Sequence, residues 1–225
     1  MRSRKPAAYL TREAWLAGLP FYVDARVIVP RSHIAGMLAD RMAPWASPAG
    51  RVKSVLDLCT GSGCLAILAA RAFPPARIDA IDISAGALAV ARINVRRYRM
   101  GRRIRLVRSD LFSALGGRRY DVIVCNPPYV AAASMRRLPR EYRREPRIAL
   151  AGGSDGLDVV RTILQQAGSH LEPGGMLVME VGSGRARVER AFPRIPFIWA
   201  ATPGGGDVLV ARREDLPRPA PAPRE

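Results

Sequence analysis

The chain has 225 residues, 48% of them hydrophobic, with a formal charge of +17. That size and apolar share predict one globular domain with a sizeable core rather than a disordered chain. No apolar run approaches the roughly 20 residues of a membrane helix, and three cysteines (Cys59, Cys64, Cys125) without a Cys-x-x-Cys, beside two histidines, argue against a disulfide scaffold or a metal site.

In chain order, the start Met1-Arg-Ser-Arg-Lys-Pro6 is basic but lacks a following apolar core, so no signal peptide is expected and a cytoplasmic location fits. Thr11 to Gly18 predicts a short helix capped by Thr11 and stopped by Gly18. Phe21 to Val29 predicts a hairpin turning at Asp24-Ala25, and Ser32 a cap for a helix from His33 to about Ala43. Pro44 to Gly50 reads as a loop. From Val52 the pattern alternates. Strands are expected at Val52–Leu58, Arg77–Ile81, Ile104–Arg108, Tyr120–Cys125 and Met176–Val181. Helices are expected at Cys64–Phe73, Ser84–Arg99, Gly156–Leu171 and Ala186–Phe192, with a polar loop from Val130 to Ser154. Strands near Phe197–Ala201 and Val208–Arg212 flank Gly204-Gly205-Gly206 and should pair as a hairpin. The Pro/Ala tail should be extended or disordered. Residues 1–50 are thus an N-terminal extension, 51–213 the main domain and 214–225 a tail. The fold class is α/β: a Rossmann-like, doubly wound, mostly parallel sheet with a C-terminal antiparallel hairpin.

Ligands of such sheets sit at the carboxyl ends of strands. Asp57-Leu-Cys59-Thr60-Gly61-Ser62-Gly63 joins a strand to a helix; its glycines allow a tight turn and close backbone approach. It lacks the third glycine of the dinucleotide fingerprint, and Asp57 would repel phosphate but suit an ammonium group. Asp82, followed by Ile83, ends the next strand and is placed to accept ribose hydroxyls. Asp110 could reach an adenine amino group, with Leu111 over the ring. Taken singly, each is also an ordinary turn or helix-start residue. Together they describe a nucleoside with a cationic amino-acid end and no phosphate, which S-adenosylmethionine fits, without a metal; its sulfonium methyl would lie near Asn126, which is thus also expected to contact the cofactor.

The strand Tyr120-Asp-Val-Ile-Val-Cys125 stops at Asn126-Pro127-Pro128-Tyr129. Both prolines stiffen the backbone, so Asn126 and Tyr129 present a planar amide and an aromatic face from a rigid platform. The sequence resembles the Asn-Pro-Pro-Tyr class of S-adenosylmethionine-dependent methyltransferases, which modify planar amino groups. Four segments carry a closer resemblance: Phe21 to Ser32, with Arg31 in its Pro-Arg-Ser motif; Asp57 to Gly63; Glu141 to Pro146 with Ala149-Leu-Ala151; and Asp155-Gly-Leu-Asp158. These are similar to the N(5)-glutamine methyltransferases, in the branch acting on large-subunit ribosomal protein number three; a sister branch modifies peptide-chain release factors. The resemblance runs from about Tyr9 to Arg213. It implies methyl transfer to a glutamine amide, catalysis by Asn126, Pro127 and Tyr129, and substrate contacts from these with Pro128 and Arg31.

Departures accompany it. The resemblance implies an N-terminal helical domain that helps engage the protein substrate, and the short stretch before Tyr9 is not expected to supply it. His33 and Gly36 stand near positions that more often carry proline and an acidic residue, and Leu111 stands where the sister branch often has an aromatic. Two other functions stay open: an amino methyltransferase on adenine or cytosine of RNA or DNA, and an inactive cofactor-binding protein associated with the ribosome. All but two of the 36 basic residues are arginine, so codon bias and an RNA-rich partner both account for the charge. No membrane partner is expected, and a monomer is favoured.

Overall fold

The computed structural model describes residues 5–45, 51–202 and 206–217. The chain opens with α1 (Ala7–Thr11), β1 (Glu13–Leu16), β2 (Leu19–Tyr22) and α2 (Ile34–Ala39). The expected helix over Thr11–Gly18 is therefore replaced by the strand Glu13–Leu16 with turns on either side. Arg12 in the left-handed region ends α1, and Ala17 (φ 47°) with Gly18 (φ 73°) forms the two-residue turn that matches the twist of a hairpin. The hairpin expected over Phe21–Val29 is likewise displaced towards the N-terminus. Asp24 does make a turn, its carboxylate accepting from the Arg26 N–H, but no strand returns from it. Ser32 Oγ accepts from the Ile34 N–H as a cap would, and α2 stops four residues before Ala43 because Arg41 and Met42 have positive φ.

The alternating part follows: β3 (Ser54–Leu58), α3 (Cys64–Ala72), β4 (Arg77–Asp82), α4 (Ala85–Arg97), β5 (Ile104–Arg108) and β6 (Tyr120–Cys125). The expected loop after β6 is broken by α5 (Ala132–Met135) and two 3₁₀ turns, and it folds back so that Val130 bridges Ala151. α6 (Asp158–Gln166) is shorter than expected and passes through a 3₁₀ turn (Ala167–His170) into β7 (Leu171–Gly182). Pro173-Gly-Gly175 is not the entry turn but an irregularity within β7, where the register against β6 shifts. Last come α7 (Arg185–Ala191), β8 (Ile198–Ala200) and β9 (Asp207–Arg212). β8 and β9 pair antiparallel as expected, while Gly204-Gly205 of their turn lies outside the described residues. Leu216, expected in the tail, is buried against the core, where a Cβ on Gly168 would meet it at 3.3 Å. Residues 218–225 lie outside the description, as do 46–50 of the expected loop.

The seven-stranded sheet has the order β5-β4-β3-β6-β7-β9-β8, parallel from β5 to β7 and antiparallel at β9 and β8. Side chains alternate across it as a strand's period of two requires. Val55, Val122 and Val124 face one core with Ile34 and Leu38 of α2 and Ile67 of α3. Leu56, Ile123 and Cys125 face the other with Val160, Ile163 and Leu164 of α6. Both faces are covered, which explains the near-continuous apolar strands. The N-terminal hairpin is tied down by buried Asn94, whose amide oxygen accepts from the Tyr22 N–H and whose NH2 donates to the carbonyls of Tyr22 and Ser62. The strand order reverses at β3, with β4 on one side and β6 on the other, and a crevice opens there.

Candidate active site

A cleft of about 510 Å³ lies over the carboxyl ends of β3, β4, β5 and β6. Cys59 and Gly61 form its floor, with Asp82, Ile83, Asp110 and Leu111 along one side and Asn126 and Pro128 at the β6 end. The turn after β3 is tight because Cys59 (φ 61°), Gly61 (φ 56°) and Gly63 (φ 80°) all take positive φ. Asp82 organises this rim. Its Oδ2 accepts from the Gly61 N–H at 2.9 Å and its Oδ1 from the Ser84 N–H at 2.8 Å. Each oxygen keeps a second lone pair for a ligand hydroxyl. Burial raises its pKa above the usual carboxylate range, offset in part by these backbone bonds.

The far end of the site is built on a buried carboxylate. Glu180, on β7, is 3% exposed. Its Oε2 accepts from the Ser32 hydroxyl at 2.7 Å and the His33 N–H at 3.0 Å, and its Oε1 from the Tyr129 hydroxyl at 3.2 Å. The Tyr129 ring lies on Gly182, where a Cβ would sit 2.6 Å from Cε2. Burial, then the Glu180 charge, push the Tyr129 pKa up, so the phenol is a donor at neutral pH. A second buried acid, Glu145, takes Arg31 Nη2 at 2.6 and 2.7 Å and the Val29 N–H at 3.2 Å. The Arg31 guanidinium also lies 4.2 Å from the centre of the Tyr142 ring. These two acids clamp the Pro30-Arg31-Ser32 segment to β7 and to the turn before Pro146, which lines the cleft.

A family model for the methyltransferase small domain matches residues 38–138. Proteins named ribosomal protein uL3 glutamine methyltransferase are similar over nearly the whole chain. That of Burkholderia pseudomallei is 53% identical, covering 95% of this chain and 72% of the relative. That of Bordetella pertussis is 54% identical with the same coverage. That of Francisella tularensis is 42% identical, covering 95% and 68%. The chain belongs to the ribosomal protein uL3 glutamine methyltransferase family. The branch expected from the flanking segments is therefore the one found. Solved methyltransferases share the fold at low identity. The Pyrococcus furiosus methyltransferase has a TM-score of 0.62 at 18% identity, covering 87% of this chain and 89% of that one. The hMettl16 catalytic domain in complex with MAT2A 3′UTR hairpin 6 has 0.66 at 16%, covering 90% and 78%.

In this member of the uL3 glutamine methyltransferase family, the residues singled out from sequence divide into two groups. Cys59, Gly61, Asp82, Ile83, Asp110, Leu111, Asn126 and Pro128 share the cleft. Asp57, Thr60, Ser62 and Pro127 are buried beneath or behind it, and Gly63 packs on Ala91. Asp57 holds the loop rather than lining the cleft, its Oδ2 accepting from Thr60 Oγ1 at 2.5 Å and the Ala66 N–H at 2.9 Å. Arg31, expected to touch substrate, has its guanidinium on Glu145, because a buried acid needs a charged partner. Tyr129 stands outside the cleft lining, against β7. Sequence reasoning did not single out Glu180, and it read Phe21 to Ser32 and Glu141 to Ala151 as marks of the family without placing Arg26 to Ile28 and Pro146 to Ala149 in the second cleft wall. A carboxylate inside the apolar run Met176-Leu-Val-Met-Glu180-Val was the available signal, since a charge in a core strand demands buried partners.

Asp57 makes stability depend on pH. Its Oδ1 is buried and has no partner among the described residues. Burial raises its pKa from 3.8 to about 7, against the opposing pull of its bonds from Thr60 and Ala66. Because the folded value is the higher one, its contribution is most favourable below the unfolded value. It is lost progressively as pH rises from about 4 to about 7. A difference of that size amounts to roughly 4 kcal/mol. Asp57→Asn keeps an oxygen for Thr60 and Ala66 but removes the charge. Its thermal midpoint should therefore gain on the wild type between acidic and slightly alkaline pH. A gap that stays constant with pH would rule this account out.

Proposed function

We propose that the chain methylates the side-chain amide nitrogen of a glutamine in ribosomal protein uL3, with S-adenosylmethionine as methyl donor and the reaction in the cytoplasm. The observation that carries this reading is Asn126, held at the rim of the nucleoside-sized cleft by a strand end that two prolines stiffen. The cleft suits the donor: its volume is that of a small-molecule site, Asp82 offers carboxylate lone pairs, and Ile83 and Leu111 supply apolar cover. When bound, S-adenosylmethionine supplies an electrophilic methyl group.

The chain's own residues act on the amide. An amide nitrogen is a poor nucleophile because its lone pair is delocalised into the carbonyl. Asn126 Oδ1 and the Pro127 carbonyl oxygen accept hydrogen bonds from its NH2 group. Two fixed acceptors favour the positive charge that grows on nitrogen during attack, the counterpart of an oxyanion hole with the sign reversed. Tyr129, fixed by Glu180 and Gly182, offers its aromatic surface to the same centre. The nitrogen's proton leaves to solvent after transfer.

Incubating the purified chain with isotopically labelled methyl donor, ribosomal protein uL3 and total RNA tests this directly. Mass spectrometry is expected to find one added methyl on a glutamine of the protein. Label recovered in the RNA instead would overturn the reading.

A further inference from the structure

A second cleft, of about 380 Å³, opens at the opposite edge of the sheet. It is lined by the first residues of parallel strands: Ser54 of β3, Arg77 of β4, Ile104 of β5 and Tyr120 of β6. The methyl-transfer cleft lies at the other ends of these strands, so the two are separated by roughly 15–20 Å. Six of the twelve lining residues are arginine: Arg77, Arg102, Arg103, Arg105, Arg118 and Arg119. In the first cleft the count is two of twenty-two. A general compositional preference for arginine would not gather them in this way.

One carboxylate, Asp79, faces these six guanidinium groups in the lining. It is buried, and it orders the arginines rather than cancelling them. Its oxygens take Arg105 Nε and Nη2 at 2.7 Å and the Tyr120 hydroxyl at 2.7 Å, with Arg118 at 3.5 Å. Arg103 is fixed by the Phe73 and Ala76 carbonyls and Arg77 by the Arg102 carbonyl, bonds that leave their charge in place. Arg102, Arg118 and Arg119 stand exposed at the rim.

We propose that this cleft binds the phosphodiester backbone of single-stranded RNA. Guanidinium forks match phosphate oxygens in pairs, and pre-ordered ones lose less entropy on binding. A single nucleic-acid strand carries one negative charge per nucleotide, which matches a recess whose lining is half arginine. That the nucleic acid is RNA rests on the proposed ribosomal-protein substrate. Contact here would hold the chain on the RNA while leaving the first cleft open on the far edge.

The test is fluorescence anisotropy of the full chain with a labelled single-stranded RNA of about 20 nucleotides, across about 50 to 200 mM salt. Methyl donor is omitted, so the outcome is independent of the transfer reaction. The triple variant R102Q/R118Q/R119Q should bind at least tenfold more weakly at low salt. The slope of log affinity against log salt should shrink by about 2, since each lost phosphate contact on a single strand removes about 0.7. Affinity for S-adenosylmethionine, measured separately, should be unchanged and reports folding. If the triple variant is unstable, R102Q/R119Q should give a slope smaller by about 1.4. Wild-type RNA affinity in a folded variant would overturn the proposal. So would transfer of the whole effect to Arg136, Arg137 and Arg140 beyond β6, or displacement of RNA by polyglutamate as readily as by unlabelled RNA.

Discussion

Asn126→Ala is expected to lower kcat for methyl transfer by about 10²–10³-fold while leaving the affinity for S-adenosylmethionine within a factor of about three. The size follows from removing one fixed polar partner of the charge that develops in the transition state. The selectivity follows from place. Asn126 lines the β6 end of the cleft, whereas Gly61, Asp82 and Leu111 line it from the other strand ends, with Asp82 held by the Gly61 N–H rather than by Asn126. Asn126→Asp should not restore the rate, since it presents oxygens but replaces a neutral amide with a group that titrates. Stopped-flow or quenched-flow turnover, paired with calorimetric titration of the donor, reads both numbers. Full turnover by Asn126→Ala would remove the mechanism given above. A loss of donor affinity equal to the loss in rate would reassign Asn126 to cofactor binding.

Gly156→Ala is expected to be the most damaging single methyl addition near the site. Gly156 has φ +84°, and a Cβ there would lie 2.4 Å from the Tyr129 carbonyl oxygen and 3.2 Å from the Ala131 nitrogen. Both are backbone atoms and cannot rotate away. The surrounding segment is equally close: a Cβ on Gly152 would meet the Pro128 carbonyl oxygen at 2.8 Å. Backbone bonds stitch the two stretches together, with the Gly152 N–H on the Val130 carbonyl, the Val130 N–H on Leu150 and the Ala132 N–H on Gly153. The glycine segment 152–156 is thus the mould against which Pro128, Tyr129 and Val130 are cast. A cost of about 3 kcal/mol or more is expected from strain and clash together, a fall in thermal midpoint of roughly 6–12 °C for a domain of this size. Turnover should fall as well, because the displaced backbone carries Tyr129. Gly174→Ala is the control. Gly174 also has positive φ (+73°), but its Cβ would meet nothing within 4 Å, so it should lose only about 1 kcal/mol. Equal losses in the two variants would show that backbone conformation, rather than contact with Tyr129, sets the cost.

The parts legible in the sequence were those encoded by neighbours along the chain. Short runs of β-branched and aliphatic residues that stop at Asp82, Asp110 and Asn126 marked parallel strands and their carboxyl ends, because burial on both faces and a chain-breaking tip are local requirements. The same tips, with the flanking segments, pointed to the family that the relatives bear out. The early segment was harder. Thr11 to Gly18 carries helix start and stop residues, yet Ala17 and Gly18 both adopt positive φ and the segment becomes a hairpin whose base is held by Asn94, far along the chain. Local preference loses there to a long-range pair of hydrogen bonds.

The roles of the acids were decided only in three dimensions. By sequence, Asp57 and Asp82 were both expected at the ligand, Asp57 beside an ammonium group and Asp82 beside ribose hydroxyls. Folding turns Asp57 inward to hold the loop through Thr60 and Ala66, and leaves Asp82 on the cleft. Glu145 and Glu180 are remote from Arg31, Ser32 and Tyr129 in sequence, and no spacing rule links them. They meet because β7 lies beside β6 and the segment after β6 folds back over Val130. The chain by itself determined which chemistry stands at the strand ends, since each tip is written in a few adjacent residues. The tertiary structure decided which of those groups line the cleft and which brace the platform, since a side chain's burial and partners depend on elements far away in sequence.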